Sequence, residues 1–229
     1  MHDAYVEIGR RRTFAGAIKW PGWCRSGRDE PSAVEALAAY GPRYAAAAGR
    51  AAAGFKAPTD VAGLRVVERL KGDATTDFGV PGAAPARDER PLDQTELKRL
   101  VALLRASWAK FDRTAKKASG VKLSKGPRGG GRELDAIVRH VLQADRAYLG
   151  KLGGVSLKQD AAGAVKTEMT RVRKEIVDVL SSRARGAPPP RTPRSGKLWA
   201  PRYGIRRSAW HVLDHAWEIE DRAIRPDQE

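Results

Sequence analysis

The amino-acid sequence predicts an α+β protein in which a small β-β-α-β unit precedes a C-terminal four-helix bundle. Short segments in which apolar and polar residues alternate, as in half-buried strands, are confined to residues 1–72. In residues 92–229 apolar side chains instead recur every three to four positions, as on one face of a helix. Residues 73–91, rich in glycine and proline, separate the two patterns and are predicted to be a linker.

The N-terminal unit is predicted from three alternating segments and one helix. Residues 4–19 alternate as a hairpin, and the turn-rich residues 20–30 follow it. Pro31 is typical of a first helical turn, and the Ala-rich helix that it opens extends to about Gly54. Residues 64–70 alternate again and predict the third strand. The predicted order is therefore β-β-α-β.

Four amphipathic helices are predicted after the linker, with lengths typical of a four-helix bundle. The first opens with a carboxylate version of the capping box, formed by Asp93 and Glu96. Gly186 and the prolines at 188–190 end the third helix. The approximate predicted ranges of the first three are 93–118, 131–152 and 158–185, and the apolar stripe of the last extends from Ile205 to Ala223.

Three of the four histidines fall on these helices. His211 and His215 are spaced i, i+4 in the last helix, so their imidazoles lie on one face, one turn apart. His140 lies at the corresponding edge of the second helix, where Ala136 and Ala144 leave room for a bound group. Three imidazoles from two helices form the ligand set of a catalytic zinc site that keeps one position open. The competing interpretation is that each of the three is an ordinary hydrogen-bonded residue at the boundary of its helix. The fourth histidine, His2, is assigned to a frayed terminus.

Further polar and aromatic residues accompany this predicted site. Glu218, about two turns beyond His211, is predicted to orient an imidazole or to act as a general base, the alternative being a surface carboxylate. Asp145 falls within an apolar stripe, so it should pair with a basic side chain or orient an imidazole. Trp199 and Tyr203 are predicted to pack in the core or to form a lid near the ligands.

Residues of about 92–225 resemble the DinB-like superfamily of metal-binding four-helix bundles, which includes mycothiol- and bacillithiol-dependent transferases and isomerases. The resemblance rests on His140, between Arg139 and Val141, and on the pair His211 and His215 in the last helix. It implies that these three histidines hold a metal ion, whose open position would take either a water or a thiolate cosubstrate. Neutral imidazoles favour a divalent transition ion, with zinc as the default and nickel or iron as alternatives.

The first 72 residues resemble HicB-like domains, in which a hairpin leads through a Pro–Gly turn into a capped helix. The matching segments are Phe14–Ala15, Trp20–Gly22, Ser26–Gly27 and Ala33–Leu37. Such domains usually pair with a small toxin and often carry a separate DNA-binding unit. The sequence contains no ribbon or helix-turn-helix pattern of that kind.

Composition restricts the partners and the compartment. The net charge of +16 indicates attraction to anionic partners, although few aromatics interleave with the basic residues, which disfavours a platform for single-stranded nucleic acid. No apolar run reaches the roughly 18 residues of a membrane span. The N-terminal residues lack the features of a secretory signal, and the single cysteine, Cys24, is inert in its predicted turn and excludes an internal disulfide. We therefore expect a cytoplasmic protein, with a dimer among the open oligomeric states.

Two functions fit these observations. The first is a divalent-metal-dependent protein acting on a small molecule, as a thiol-dependent transferase or isomerase or as a metal-assisted hydrolase. The second is a non-catalytic binding or regulatory module, antitoxin-like, whose N-terminal unit recognises an acidic protein or nucleic acid. Elemental analysis of the purified protein discriminates between them.

Overall fold

A computed structural model describes residues 1–125, 131–158, 164–193 and 196–223, and within them the chain forms four strands and seven α-helices. The strands are β1 His2–Ile8, β2 Thr13–Ala17, β3 Cys24–Gly27 and β4 Leu64–Lys71. The helices are α1 Glu30–Ala39, α2 Gly41–Ala48, α3 Ala74–Phe78, α4 Gln94–Lys117, α5 Leu134–Lys151, α6 Val165–Ala184 and α7 Pro201–Arg222. The predicted α+β class is confirmed, with the strands confined to the N-terminal part.

The four strands form one mixed sheet in the order β3-β2-β1-β4. The pairs β1–β2 and β2–β3 are antiparallel, whereas β1 and β4 are parallel. Parallel neighbours cannot be joined by a tight turn, and the chain reaches β4 only after passing through β3, α1 and α2. The predicted hairpin is formed by β1 and β2, and the predicted third alternating segment is β4.

The N-terminal unit contains one strand and one helix more than the predicted β-β-α-β order. Residues Cys24–Gly27, assigned from sequence to a turn-rich segment, pair with β2 as the edge strand β3. The single predicted helix is interrupted at Tyr40, after which Gly41 and Pro42 open α2. Proline lacks the N–H that a continuous helix would need at this point, which accounts for the break.

His2 is not part of a frayed terminus, because it is the first residue of β1. Its Nδ1 accepts a hydrogen bond from the Trp20 indole at 3.1 Å, and its Nε2 lies 2.7 Å from the carbonyl oxygen of Lys56. Its ring also stacks on Phe55, with 5.1 Å between the ring centroids. The fourth histidine is therefore a structural residue of the sheet unit.

Buried carboxylates fasten residues 73–91, the predicted linker, to the rest of the protein. Glu7 of β1 is almost fully buried and accepts a hydrogen bond from the backbone N–H of Ala83 at 2.9 Å. Asp88 is fully buried and binds the guanidinium of Arg206 in α7 through both carboxylate oxygens, at 2.6 and 2.9 Å. The segment is thereby attached both to the sheet and to the last helix.

A continuous hydrophobic core connects the sheet unit to the long helices. Buried residues of β1, α1 and α2 belong to the same cluster as those of α4, α5, α6 and α7. Helix α7 contacts α4, α5 and α6, and it also packs toward the sheet, where Phe14 meets Trp210 edge-on with 6.0 Å between the centroids. Its position is therefore determined from both sides.

Local signals account for the ends of the long helices. The Asp93 carboxylate caps α4 by accepting the backbone N–H of Glu96 at 2.8 Å, which is one half of the predicted capping box. Pro201 occupies the first turn of α7, where a missing N–H is harmless. None of the described helices has both the length and the apolar character required to cross a membrane.

Candidate metal centre

Helices α5 and α7 bring the three predicted ligands together. His140, His211 and His215 each offer one ring nitrogen, and these three atoms lie within 4.8 Å of one another. The Nε2 atoms of His140 and His211 are 3.2 Å apart. The ring centroid of His215 lies 5.0 Å from that of His140 and 4.6 Å from that of His211. The three histidines are therefore close enough to form a metal site.

Helical spacing explains how the cluster is built. His140 and Tyr148 lie eight residues apart on one row of α5, with the small side chain of Ala144 between them. His211 and His215 lie on one row of α7, and the ring of His211 contacts both His140 and Tyr148. Contact between the two helices then places the imidazoles of one row against those of the other.

One pair of the ring nitrogens is spaced as two ligands of a tetrahedral transition ion would be. Two imidazole nitrogens bound to zinc at about 2.0–2.1 Å are separated by about 3.3 Å in tetrahedral geometry. The 3.2 Å between the Nε2 atoms of His140 and His211 matches this separation. Imidazole nitrogens suit zinc, nickel or iron, whereas calcium and magnesium require oxygen ligands.

His211 also tests the competing interpretation, that these residues are ordinary hydrogen-bonded histidines. The residue is buried, and its Nδ1 has no hydrogen-bond partner in the part of the chain that the structure describes. Its other nitrogen lies 3.2 Å from Nε2 of His140. A buried polar atom without a partner is unfavourable, so hydrogen bonding does not explain why this ring is buried. A metal ion bound at Nε2 would supply this ring with a partner, while Nδ1 would still lack one.

Burial keeps two of the rings neutral. It lowers the pKa of His211 well below the usual value of 6.5, and the neighbouring imidazoles of His215 and His140 lower it further. The pKa of His140 is lowered by the same causes, with burial the larger and His215 next. A neutral imidazole carries the lone pair that a metal requires, so these ligands need not lose a proton before binding.

Glu218 contacts one of the three clustered histidines. Its Oε2 lies 2.7 Å from Nδ1 of His215, and its Oε1 accepts a hydrogen bond from Arg222 at 2.7 Å. Burial alone would raise the pKa of Glu218, but the hydrogen bonds from His215 and Arg222 outweigh it and lower the pKa. An ionised carboxylate can only accept, so Nδ1 of His215 is the donor in this contact, which leaves Nε2 as the nitrogen available to a metal. Glu218 is thus not a free surface carboxylate.

Arg222 completes this support and was not singled out by the sequence. It donates to the carbonyl oxygens of Ser124 and Arg132, each at 2.9 Å, in addition to Glu218. Its sequence signal was the i, i+4 spacing from Glu218, which places the two side chains on one face of α7. Residues 126–130, which lie between Ser124 and Arg132 in the sequence, are outside the described part of the chain.

Two other residues considered from the sequence, Asp145 and Cys24, are both buried. Asp145 is fully buried and pairs with Nε of Arg173 at 3.2 Å. Of the two partners predicted for it, a basic side chain or an imidazole, the structure shows the basic side chain. Burial outweighs this pairing and raises the pKa of Asp145 to about 6. Cys24 is buried in β3, and burial raises the pKa of its thiol to about 12, which makes it a poor nucleophile.

Aromatic residues extend from His211 toward the start of α7. Tyr148 meets His211 edge-on at 5.7 Å between centroids, and Trp199 lies 5.1 Å from Tyr148. The ring centroid of Tyr203 lies 5.0 Å from that of Trp199, and the Tyr203 hydroxyl donates a hydrogen bond to the carbonyl oxygen of Gly82. Trp199 and Tyr203 therefore pack together, and Tyr148 connects them to the histidines.

Comparisons of the chain with protein families, with curated proteins and with solved structures find no match. What the centre can do therefore follows from its own geometry and chemistry.

Proposed function

We propose that this protein is a divalent-metal-dependent, DinB-like protein in which His140, His211 and His215 hold one ion, zinc by preference. The convergence of three ring nitrogens within 4.8 Å carries the proposal. Further support comes from the four long helices, α4 to α7, which contact one another as a four-helix bundle would. The histidines lie on the second and fourth of these helices, as the resemblance implies.

The residues of the chain prepare the site for an ion with an open coordination position. Burial of His140 and His211 favours their neutral forms, and Glu218 holds His215 in the tautomer that leaves Nε2 free. Arg222 keeps Glu218 ionised and fixed. When bound, the ion would polarise a carbonyl or lower the pKa of a water or thiol that occupies the open position.

The proposed reactions are thiol-dependent group transfer or isomerisation, or metal-assisted hydrolysis, on a small molecule. Both oxygens of Glu218 are already engaged, by His215 and Arg222. We therefore assign Glu218 to positioning of the ligand rather than to proton abstraction. The ring of Tyr148 contacts His211 and that of Trp199 contacts Tyr148, and together they would limit the access of water to the reacting groups.

Metal content tests the proposal directly. The purified full chain, dialysed against metal-free buffer after loading with Zn²⁺, should retain about one ion per chain. The triple variant His140→Ala, His211→Ala, His215→Ala should retain none while keeping its helix content by circular dichroism. His2→Ala removes the remaining histidine and serves as the matched control, which should bind as the wild type does. A triple variant that still holds one ion per chain would refute the proposal.

The alternative proposal is a binding or regulatory module that recognises an acidic protein or nucleic acid. It draws on the net charge of +16. The contacts of the N-terminal unit favour the metal proposal, because Arg206 of α7 donates to the carbonyl oxygens of Ala17 and Ile18. The sheet unit thereby supports the helix that carries His211 and His215.

A further inference from the structure

A cation lies one helical turn from His211. Arg207 and His211 are spaced i, i+4 on α7, so about 6 Å separates them along the helix axis. The central guanidinium carbon of Arg207 lies 5.7 Å from the ring centroid of Tyr148 and 4.8 Å from that of Trp210. The Tyr148 ring in turn contacts His211. One aromatic ring therefore borders both the histidine cluster and the guanidinium.

Arg207 differs from the other arginines of α7 in its partners. Arg202, Arg206 and Arg222 form ion pairs with Glu96, Asp88 and Glu218, respectively. Arg207 is half-buried, and Nη1 donates to the carbonyl oxygen of Pro81 at 3.0 Å. Among the described residues, no carboxylate forms an ion pair with it. A partly buried cation without a counter-ion is unfavourable unless a ligand supplies the negative charge.

We infer that Arg207 binds a carboxylate of the molecule whose other end occupies the open position at His140, His211 and His215. This inference rests on the proposed function, and it names the ligand class as a small thiol or substrate that carries a carboxylate a few bonds from its donor atom. A guanidinium fork matches a carboxylate in shape, and the single charge of Arg207 matches a monoanion. Ala144, between His140 and Tyr148, has a small side chain, which leaves space for the ligand between the histidines and Arg207.

Thiol binding to the Co²⁺-loaded full chain tests the inference. Thiolate ligation of cobalt produces a charge-transfer absorption that reports binding without any turnover. 3-Mercaptopropionate should bind about tenfold or more tightly than 3-mercaptopropionamide, which has the same length but no charge. Arg207→Gln should remove this preference, and Arg207→Lys, which keeps the charge without the fork, should retain part of it.

Arg113→Gln is the matched control, since Arg113 is an exposed residue of α4 and its replacement changes the net charge equally. It should leave the preference for the acid intact. Cobalt stoichiometry is measured for every variant, so that loss of the fold or of the metal is separated from loss of the preference. A chain that takes up no cobalt refutes the proposed function and this inference together. Cobalt binding with equal affinities for acid and amide, or loss of the preference in Arg113→Gln, overturns the inference alone.

Discussion

Nε2 of His140 and Nε2 of His211 lie 3.2 Å apart, although 71 positions separate the two residues in the sequence. Two imidazole nitrogens at this distance either share one proton or share a metal ion. Sharing a proton gives His215 no role in the cluster, although its ring nitrogen also lies within 4.8 Å of the other two. Sharing an ion uses all three rings, which is why the centre is interpreted as a metal site.

Single removal of His211 should weaken metal binding more than any other single substitution in the cluster, because this residue is the most buried of the three. Loss of one of three protein ligands should lower the affinity for Zn²⁺ by at least about a hundredfold. The measurement is competition with a chromophoric chelator. Equal affinities for His211→Ala and the wild type would place the ion elsewhere.

Replacement of Glu218 should weaken metal binding without abolishing it. In Glu218→Gln the carboxylate that orients His215 becomes a neutral amide, and loss of such a partner typically costs about 10- to 100-fold in affinity. Glu220→Gln is the matched control on the same helix, because Glu220 bonds to Arg43 and Lys110 rather than to a histidine. Chelator competition should show a loss for the first variant only, and equal losses would contradict the orienting role.

The affinity for metal should fall in acid. Protons and metal compete for the same ring nitrogens, and an unperturbed imidazole has a pKa of about 6.5. Burial lowers the pKa of His140 and His211, so these rings stay neutral to a lower pH and the affinity should decline only below about pH 6.5. Once all three free rings are protonated, the decline should approach a factor of about a thousand per pH unit. An affinity that does not fall even by about pH 4, well below the pKa of an ordinary imidazole, would exclude the histidine ligand set.

The buried pair of Asp88 and Arg206 should be essential for stability. Asp88→Asn leaves the buried guanidinium without its counter-ion, which should lower the free energy of unfolding by about 3–5 kcal/mol. Asp178→Asn breaks an exposed pair with Lys174 and should change it by less than about 0.5 kcal/mol. Urea denaturation measures both effects. A near-neutral Asp88→Asn would mean that residues 73–91 are only loosely attached.

The sequence by itself determined the features that depend on local spacing. The α+β class, the capped start of α4 and the pairing of His211 with His215 on one face follow from periodicity and from short-range signals. His140 could be assigned to the predicted site because it lies at the edge of the apolar stripe of α5, as His211 and His215 lie at the edge of the stripe of α7. The division of the chain at residues 73–91 stays a prediction, and so does the DinB-like assignment.

Tertiary structure decided the features that join distant parts of the chain. The edge strand β3 has little alternation of its own and exists because β2 offers it a partner. The choice of Arg173 as the partner of Asp145, and of Asp88 as that of Arg206, depends on which helices and segments become neighbours. The approach of His140 to His211 is of the same kind, because periodicity specifies the face of a helix and only packing specifies what that face meets.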